Sequence, residues 1–144
     1  MKNIKEVINE DRNLTILSRG IIAADLKKLW SKEGPFTVFA PSNIAFSQLD
    51  AGVFVTMEKA ENKTKLEDLL NDHAVPGKIY FKDLKDGQKL KTINGKELNV
   101  FVKSDCVRIS EATIQERDME GWNGVVHSLD KLIVHHENIL AGTN

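Results

Sequence analysis

The chain has one cysteine, Cys106, among its 144 residues. No disulfide can close within it, and no cysteine zinc centre can form. That absence leaves the compartment open, because a disulfide-free domain can also live in an oxidising space. An excess of either charge is missing too. Twenty Lys and Arg stand against 21 Asp and Glu, for a net charge of −1. Such balance gives no electrostatic case for nucleic acid, whose binding draws on a basic patch. No apolar run approaches the roughly 20 residues that span a bilayer, so the chain is expected not to cross one. Met1 to Glu6 lacks a secretory leader pattern and runs straight into an amphipathic segment. Internal repeats, low-complexity tracts and interdomain linkers are also absent.

What is present is a globular composition. Apolar residues make up 41% of the chain. The length is enough for one domain with a real core. The segment Phe36-Thr37-Val38-Phe39-Ala40-Pro41-Ser42-Asn43-Ile44-Ala45-Phe46 is the most structured stretch. Phe36 to Phe39 suits a half-buried strand. Pro41 cannot donate to a ladder and turns Ala40 away from helical dihedrals. Ser42 is then expected to cap a helix through its hydroxyl. No acid, base, metal ligand or glycine-rich phosphate cradle lies in the stretch.

Helical periodicity dominates the first half. Ile4, Val7 and Ile8 predict a short helix, and Asn13 is expected to cap a second carrying Leu14, Leu17, Ile21 and Ile22, with Gly20 weakening its end. Leu26, Leu29 and Trp30 predict a third, stopped by Gly34-Pro35. Asp50-Ala51-Gly52 marks a break, and a helix is expected over 53–60. Thr64 and Glu67 fit a capping box. Leu66, Leu69, Leu70 and His73 follow at i, i+3, i+4 and i+7, which puts His73 on the buried face.

The period then changes. Strands are expected over 89–93 and 98–103, joined by an Asn94-Gly95 turn, then over 106–110 and 112–116. Residues 118–124 read as a polar loop holding Trp122. A long final strand is expected over 125–134. Helices first and strands second argue for an α+β fold.

Three blocks carry a family resemblance. Thr37 to Asn43, with Ala45 and Phe46, resembles the first signature of fasciclin-like domains. Leu69-Leu70-Asn71-Asp72-His73-Ala74-Val75-Pro76-Gly77 is similar to their middle motif, where tyrosine usually stands at the position of Asp72. Asn123 to Ile133 is similar to their second signature, and Lys82 to Thr92 matches the linking segment. The blocks keep family order across residues 3–135. The resemblance implies a wedge of two β-sheets wrapped by several short helices, with both signatures as neighbouring core strands. It implies one domain over residues 1–137 and a flexible tail over 138–144. Thr37, Pro41, Ser42, His73, Pro76, His127 and Asp130 would be its structural signature positions. It further implies a non-enzymatic, monomeric module of cell adhesion or of extracellular or envelope protein interaction. Such a module is secreted, periplasmic or held at the cell surface, with any leader or anchor outside this chain. Its partner would be a cell-surface or matrix protein, or a polysaccharide. Some animal members bind integrins through the Tyr-His region and its flanks, which maps a partner contact onto Leu70, Asp72, His73 and Val75. A carboxylate at 72 supplies no phenolic ring for that contact. The alternative is a small-ligand or polysaccharide-binding domain of the cell envelope.

Candidate reactive residues have structural readings beside the functional ones. His73 is either a partner-contact or proton-switch residue, or a core histidine bonded to backbone. Asp130 sits in an apolar strand and is expected to accept amide bonds from the turn near Ser42, or to be exposed. His127, His135, His136 and Glu137 do not converge. On a strand, eight positions at about 3.3 Å each hold His127 and His135 too far apart for one ion. No metal and no cofactor is therefore expected. No nucleophile lies beside a base: Ser128 points away from His127, and Cys106 is expected in the core. Trp122, Phe54 and Tyr80 are candidate contact aromatics.

Overall fold

The computed structural model describes residues 2–24, 35–49 and 52–133. The helix expected around Leu26 to Trp30, the Asp50-Ala51 part of the break, His135, His136, Glu137 and the tail lie outside the described residues. Helix α1 spans Ile4–Glu10. The Asn3 side chain accepts from the Glu6 amide at 2.8 Å, and the Glu6 carboxylate accepts from the Asn3 amide at 3.1 Å. This reciprocal box satisfies two end donors at once. Ile4 and Ile8 form its buried stripe. A 3-10 turn over Arg12–Leu14 follows, capped by Asp11 rather than Asn13, through a 2.8 Å bond to the Asn13 amide. Helix α2, Thr15–Ala23, begins without a capping side chain of its own. Gly20 lies inside it, with Leu70 and Phe54 packed about 3.5 Å from where a Cβ would be.

Strand β1, Phe36–Pro41, turns at Ser42 into α3, Asn43–Ser47. Ser42 occupies the cap position, with φ −78° and ψ 174°, but its hydroxyl makes no capping bond. Helix α4, Val53–Met57, is shorter than expected, and a 3-10 turn over Ala60–Asn62 leads to α5, Lys63–Asn71. The expected Thr64 capping box does not form. The helix starts at Lys63, so Thr64 is already inside it, and Asn62 holds the cap position without a side-chain bond. Leu66, Leu69, Leu70 and Asn71 are its buried residues.

The remaining strands are β2 (Ala74–Pro76), β3 (Lys89–Lys91), β4 (Glu97–Lys103), β5 (Cys106–Ile109), β6 (Ala112–Thr113), β7 (Met119–Gly121) and β8 (Gly124–Leu129). They form two four-stranded sheets, ordered β2-β1-β8-β7 and β3-β4-β5-β6. β1 and β8 pair in parallel from Phe36↔Gly124 to Pro41↔Leu129, and the other pairs within both sheets are antiparallel. The architecture is the expected α+β one.

Several expectations for the second half fail, and the strand expected over 112–116 is only the two-residue β6. Residues 118–124 are not simply a loop, since β7 pairs with β8 there. Its three residues, Met119, Glu120 and Gly121, show no apolar alternation, and the strand is held to β8 by backbone pairing. β8 also ends at Leu129, short of Val134. The Asp130 amide leaves the ladder for the Thr113 carbonyl at 3.1 Å, and the Ile133 amide bonds the His73 ring at 2.8 Å.

Alternation along β1 gives the first sheet two faces. Val38 and Ala40 join Ile4, Leu17, Leu66 and Leu70 in a core beneath the helices. Phe39, with Val75 and Leu129, joins Leu98, Val100 and Ile109 in a second core between the sheets. β8 is buried along its whole length, as a central strand must be.

Candidate functional site

His73 is fully buried at the end of α5. Its Nδ1 lies 2.8 Å from the Leu69 carbonyl, and its Nε2 accepts the Ile133 amide at 2.8 Å. One ring nitrogen must donate and the other accept, so the neutral Nδ1–H tautomer satisfies both bonds. His127 is also fully buried, with the opposite arrangement. Its Nδ1 accepts the Asp118 amide at 3.2 Å, and its Nε2 faces the Ile79 carbonyl at 2.8 Å. It stacks on Phe39 with ring centroids 5.7 Å apart. Burial holds its pKa below the usual histidine value, against the opposing pull of the Ile79 bond and the Asp118 charge.

The other signature positions hold backbone as well. The Thr37 hydroxyl donates to the Gly77 carbonyl at 2.6 Å and accepts the Ile79 amide at 2.8 Å. Pro41 ends β1 opposite Leu129, and Pro76 pairs with Phe36 at the sheet edge. Asp130 is half-buried and accepts the Thr113 amide at 2.8 Å, not an amide near Ser42. Strand β6 reaches this carboxylate first because Asp130 follows directly on the Ile114↔Leu129 bridge.

The four residues expected to touch a partner are closed to solvent. Leu70, Asp72 and His73 are 0% exposed and Val75 is 4% exposed. Leu70 and Val75 belong to the two cores, and the Asp72 carboxylate accepts the Asn94 side-chain amide at 2.9 Å. None of the four presents a side chain for a partner to meet.

Three asparagines tie distant elements together in ways sequence reasoning did not anticipate, although Asn94 was expected at its hairpin turn. Asn43 accepts the Ile16 amide at 3.0 Å and donates to the Arg12 carbonyl at 3.1 Å, so it caps α2 from outside. Asn123 accepts the Ile4 amide at 2.8 Å and does the same for α1. Asn94 also donates to the Asp68 carbonyl at 2.9 Å, fastening the β3–β4 hairpin to α5. An amide with a helix start nearby in space is the signal, and it shows only in the fold.

The open face of the second sheet is different. Phe101 is 41% exposed there, with the Arg108 guanidinium 5.2 Å above its ring. Asp86, Val102, Lys103 and Cys106 complete a shallow groove of about 570 Å³. Cys106 is exposed, not in the core as expected. Val107 and Ile109 take the inward positions of β5, and alternation turns Cys106 and Arg108 outward. Trp122, 45% exposed, stands at the β7–β8 turn. Among the described residues no three His, Cys, Asp or Glu side chains gather as a metal site. No described helix is long and apolar enough to cross a membrane.

The fasciclin domain family model matches residues 12–135. The chain belongs to the fasciclin domain family. Among its relatives, protein sll1483 of Synechocystis is 39% identical over 131 residues, covering 91% of this chain and 72% of that protein. Human periostin is 30% identical over 138 residues, covering 92% of this chain but 16% of its own length. A solved fasciclin-domain pair from the insect cell adhesion molecule fasciclin I superposes with a TM-score of 0.85. It covers 96% of this chain and 52% of that one, and at 14% identity it supports the fold alone. The buried histidines and the bridging asparagines of this fasciclin domain thus hold its architecture, and its accessible chemistry lies elsewhere on the surface.

Proposed function

We propose that this chain is a non-enzymatic, monomeric module for cell adhesion in an extracellular or envelope setting, and that it meets its protein partner on the open face of the second sheet. Family membership supports the general role. The carrying observation is the exposed Phe101 ring beneath Arg108. Aromatic and arginine side chains dominate interface energetics, and β4–β5 is a rigid platform for both. Lys103 and Arg108 outnumber Asp86 in the groove, which favours a partner with an acidic rim around an apolar centre. Beads coated with the chain should adhere to cells of its own source. Phe101→Ala and Arg108→Ala should each reduce adherence about tenfold, equivalent to 1.4 kcal/mol, with melting temperature unchanged. Full adherence by both folded variants would remove this face as the contact.

A further inference from the structure

A second cleft opens where the corner after β1 meets the chain before and within β8. It encloses about 260 Å³ and is lined by Asn13, Ser42, Asn43, Ile44, Gln115, Glu116 and Ser128. Ser42 is only 6% exposed, and its hydroxyl has no hydrogen-bond partner in the described structure. A buried hydroxyl left unpaired is costly, and each such group in a folded protein calls for an explanation. Its backbone is fully used: the Ser42 amide donates to the Leu129 carbonyl at 2.9 Å, and its carbonyl accepts the Phe46 amide at 3.2 Å. The serine is therefore held firmly where it lines the cleft.

The β8 side of the cleft is equally well fixed. Ser128 is 1% exposed and exchanges backbone bonds of 2.8 Å with Gln115 and Glu116. Its hydroxyl accepts the Glu116 amide at 2.9 Å, which leaves its proton to donate. The Gln115 side chain is exposed, and Glu116 lies 3.5 Å from the Asn13 amide nitrogen. Partial burial, then the neighbouring Asp11 carboxylate, hold the Glu116 carboxyl above its usual pKa. Ile44, 62% exposed, supplies an apolar flank.

We propose that this cleft binds a small neutral polyol, of the size of a single sugar ring. The lining mixes hydroxyls, amides and a carboxyl, so it can both give and take hydrogen bonds, as vicinal hydroxyls do. No lysine or arginine lines it, which disfavours an anion. The volume is below the roughly 300–1,000 Å³ of drug-sized sites, so it admits one small molecule rather than a folded segment. Ile44 offers a surface for the C–H face of a ring. This cleft and the Phe101 groove share no residue, so either can fail while the other stands.

The test is an amide NMR titration of the full chain with glucose, galactose, mannose and myo-inositol. Glucuronate and glucosamine serve as the charged controls. At least one neutral probe should give saturable shifts at Asn43, Gln115, Glu116 and Ser128. Binding should weaken at least tenfold in Ser42→Ala and in Gln115→Ala, with thermal melting as in wild type. The exposed Gln115 carries the test should the serine variant not fold. Four outcomes would overturn the proposal. One is no saturable shift with any neutral probe up to roughly 100 mM, two decades above a 1 mM Kd; water alone then fills the cleft. The others are saturation by glucosamine alone, shifts confined to other elements, and undiminished binding by the folded variants.

Discussion

His73 and His127 show how one residue type does two jobs with opposite tautomers. Each joins segments that backbone pairing does not connect: Leu69 to Ile133, and Asp118 to Ile79. His127 makes the fold sensitive to acid. In the unfolded chain its ring titrates near 6.5, and in the folded chain lower. Between those values the unfolded chain binds more protons, so stability falls as pH drops through that window and is complete above about 6.5. Urea denaturation at pH 7.5 and 5.5 should show this loss in wild type and a smaller one in His127→Gln. Equal losses would assign the acid sensitivity to other groups. Asn43 offers a second residue-scale prediction. Asn43→Ala removes the cap on Ile16 and should cost about 1–2 kcal/mol by the same assay. Asn43→Asp, which keeps the acceptor, should fall between. The His73 face was legible because periodicity of three and four residues marks one side of a helix. Asn43 and Asn123 were not, since the amides they cap lie 27 and 119 positions away in sequence. Cys106 was misread although the alternation of Val107 and Ile109 already turned it outward.

At the scale of elements, glycines separate tight joints from loose ones. A Cβ on Gly124 would lie 2.0 Å from the Phe36 carbonyl oxygen, inside the β1–β8 ladder. On Gly121 it would lie 2.9 Å from the backbone entering α1. Neither backbone can yield cheaply. Gly124→Ala should therefore cost more than about 3 kcal/mol, or abolish soluble protein, judged by yield and denaturation. Gly20→Ala should act in the other direction. Its neighbours stand at ordinary contact distance, and alanine favours a helix by about 0.5–1 kcal/mol. A lowered melting point for that variant would mean α2 packs more tightly on Phe54 and Leu70 than these distances indicate. Among elements, β1 and its corner were legible because proline, aromatics and β-branched residues each act locally. β7 was not, because an edge strand of Met119, Glu120 and Gly121 has no apolar alternation to read.

For the whole molecule, the parallel β1–β8 pair divides the helix core from the core between the sheets. Both cores must break before this pair can open, so its amides should be the last to exchange. In native-state hydrogen exchange, Val125, Val126 and His127 should approach the global unfolding free energy. The β3–β4 turn at Asn94 and Gly95 should exchange by smaller openings. Faster exchange in β8 than in β4 would show that the second sheet is the more stable unit.

That pairing also sets a schedule for synthesis. Phe36 meets Gly124 across about 88 residues of chain. At roughly 5–20 residues per second, β1 leaves the ribosome some 4–18 s before its partner exists. During that interval Val38, Phe39 and Ala40 have no β8 to cover them. The domain therefore closes only when its last strand emerges, and a nascent chain halted before residue 124 would display a sticky, half-made sheet to any chaperone within reach.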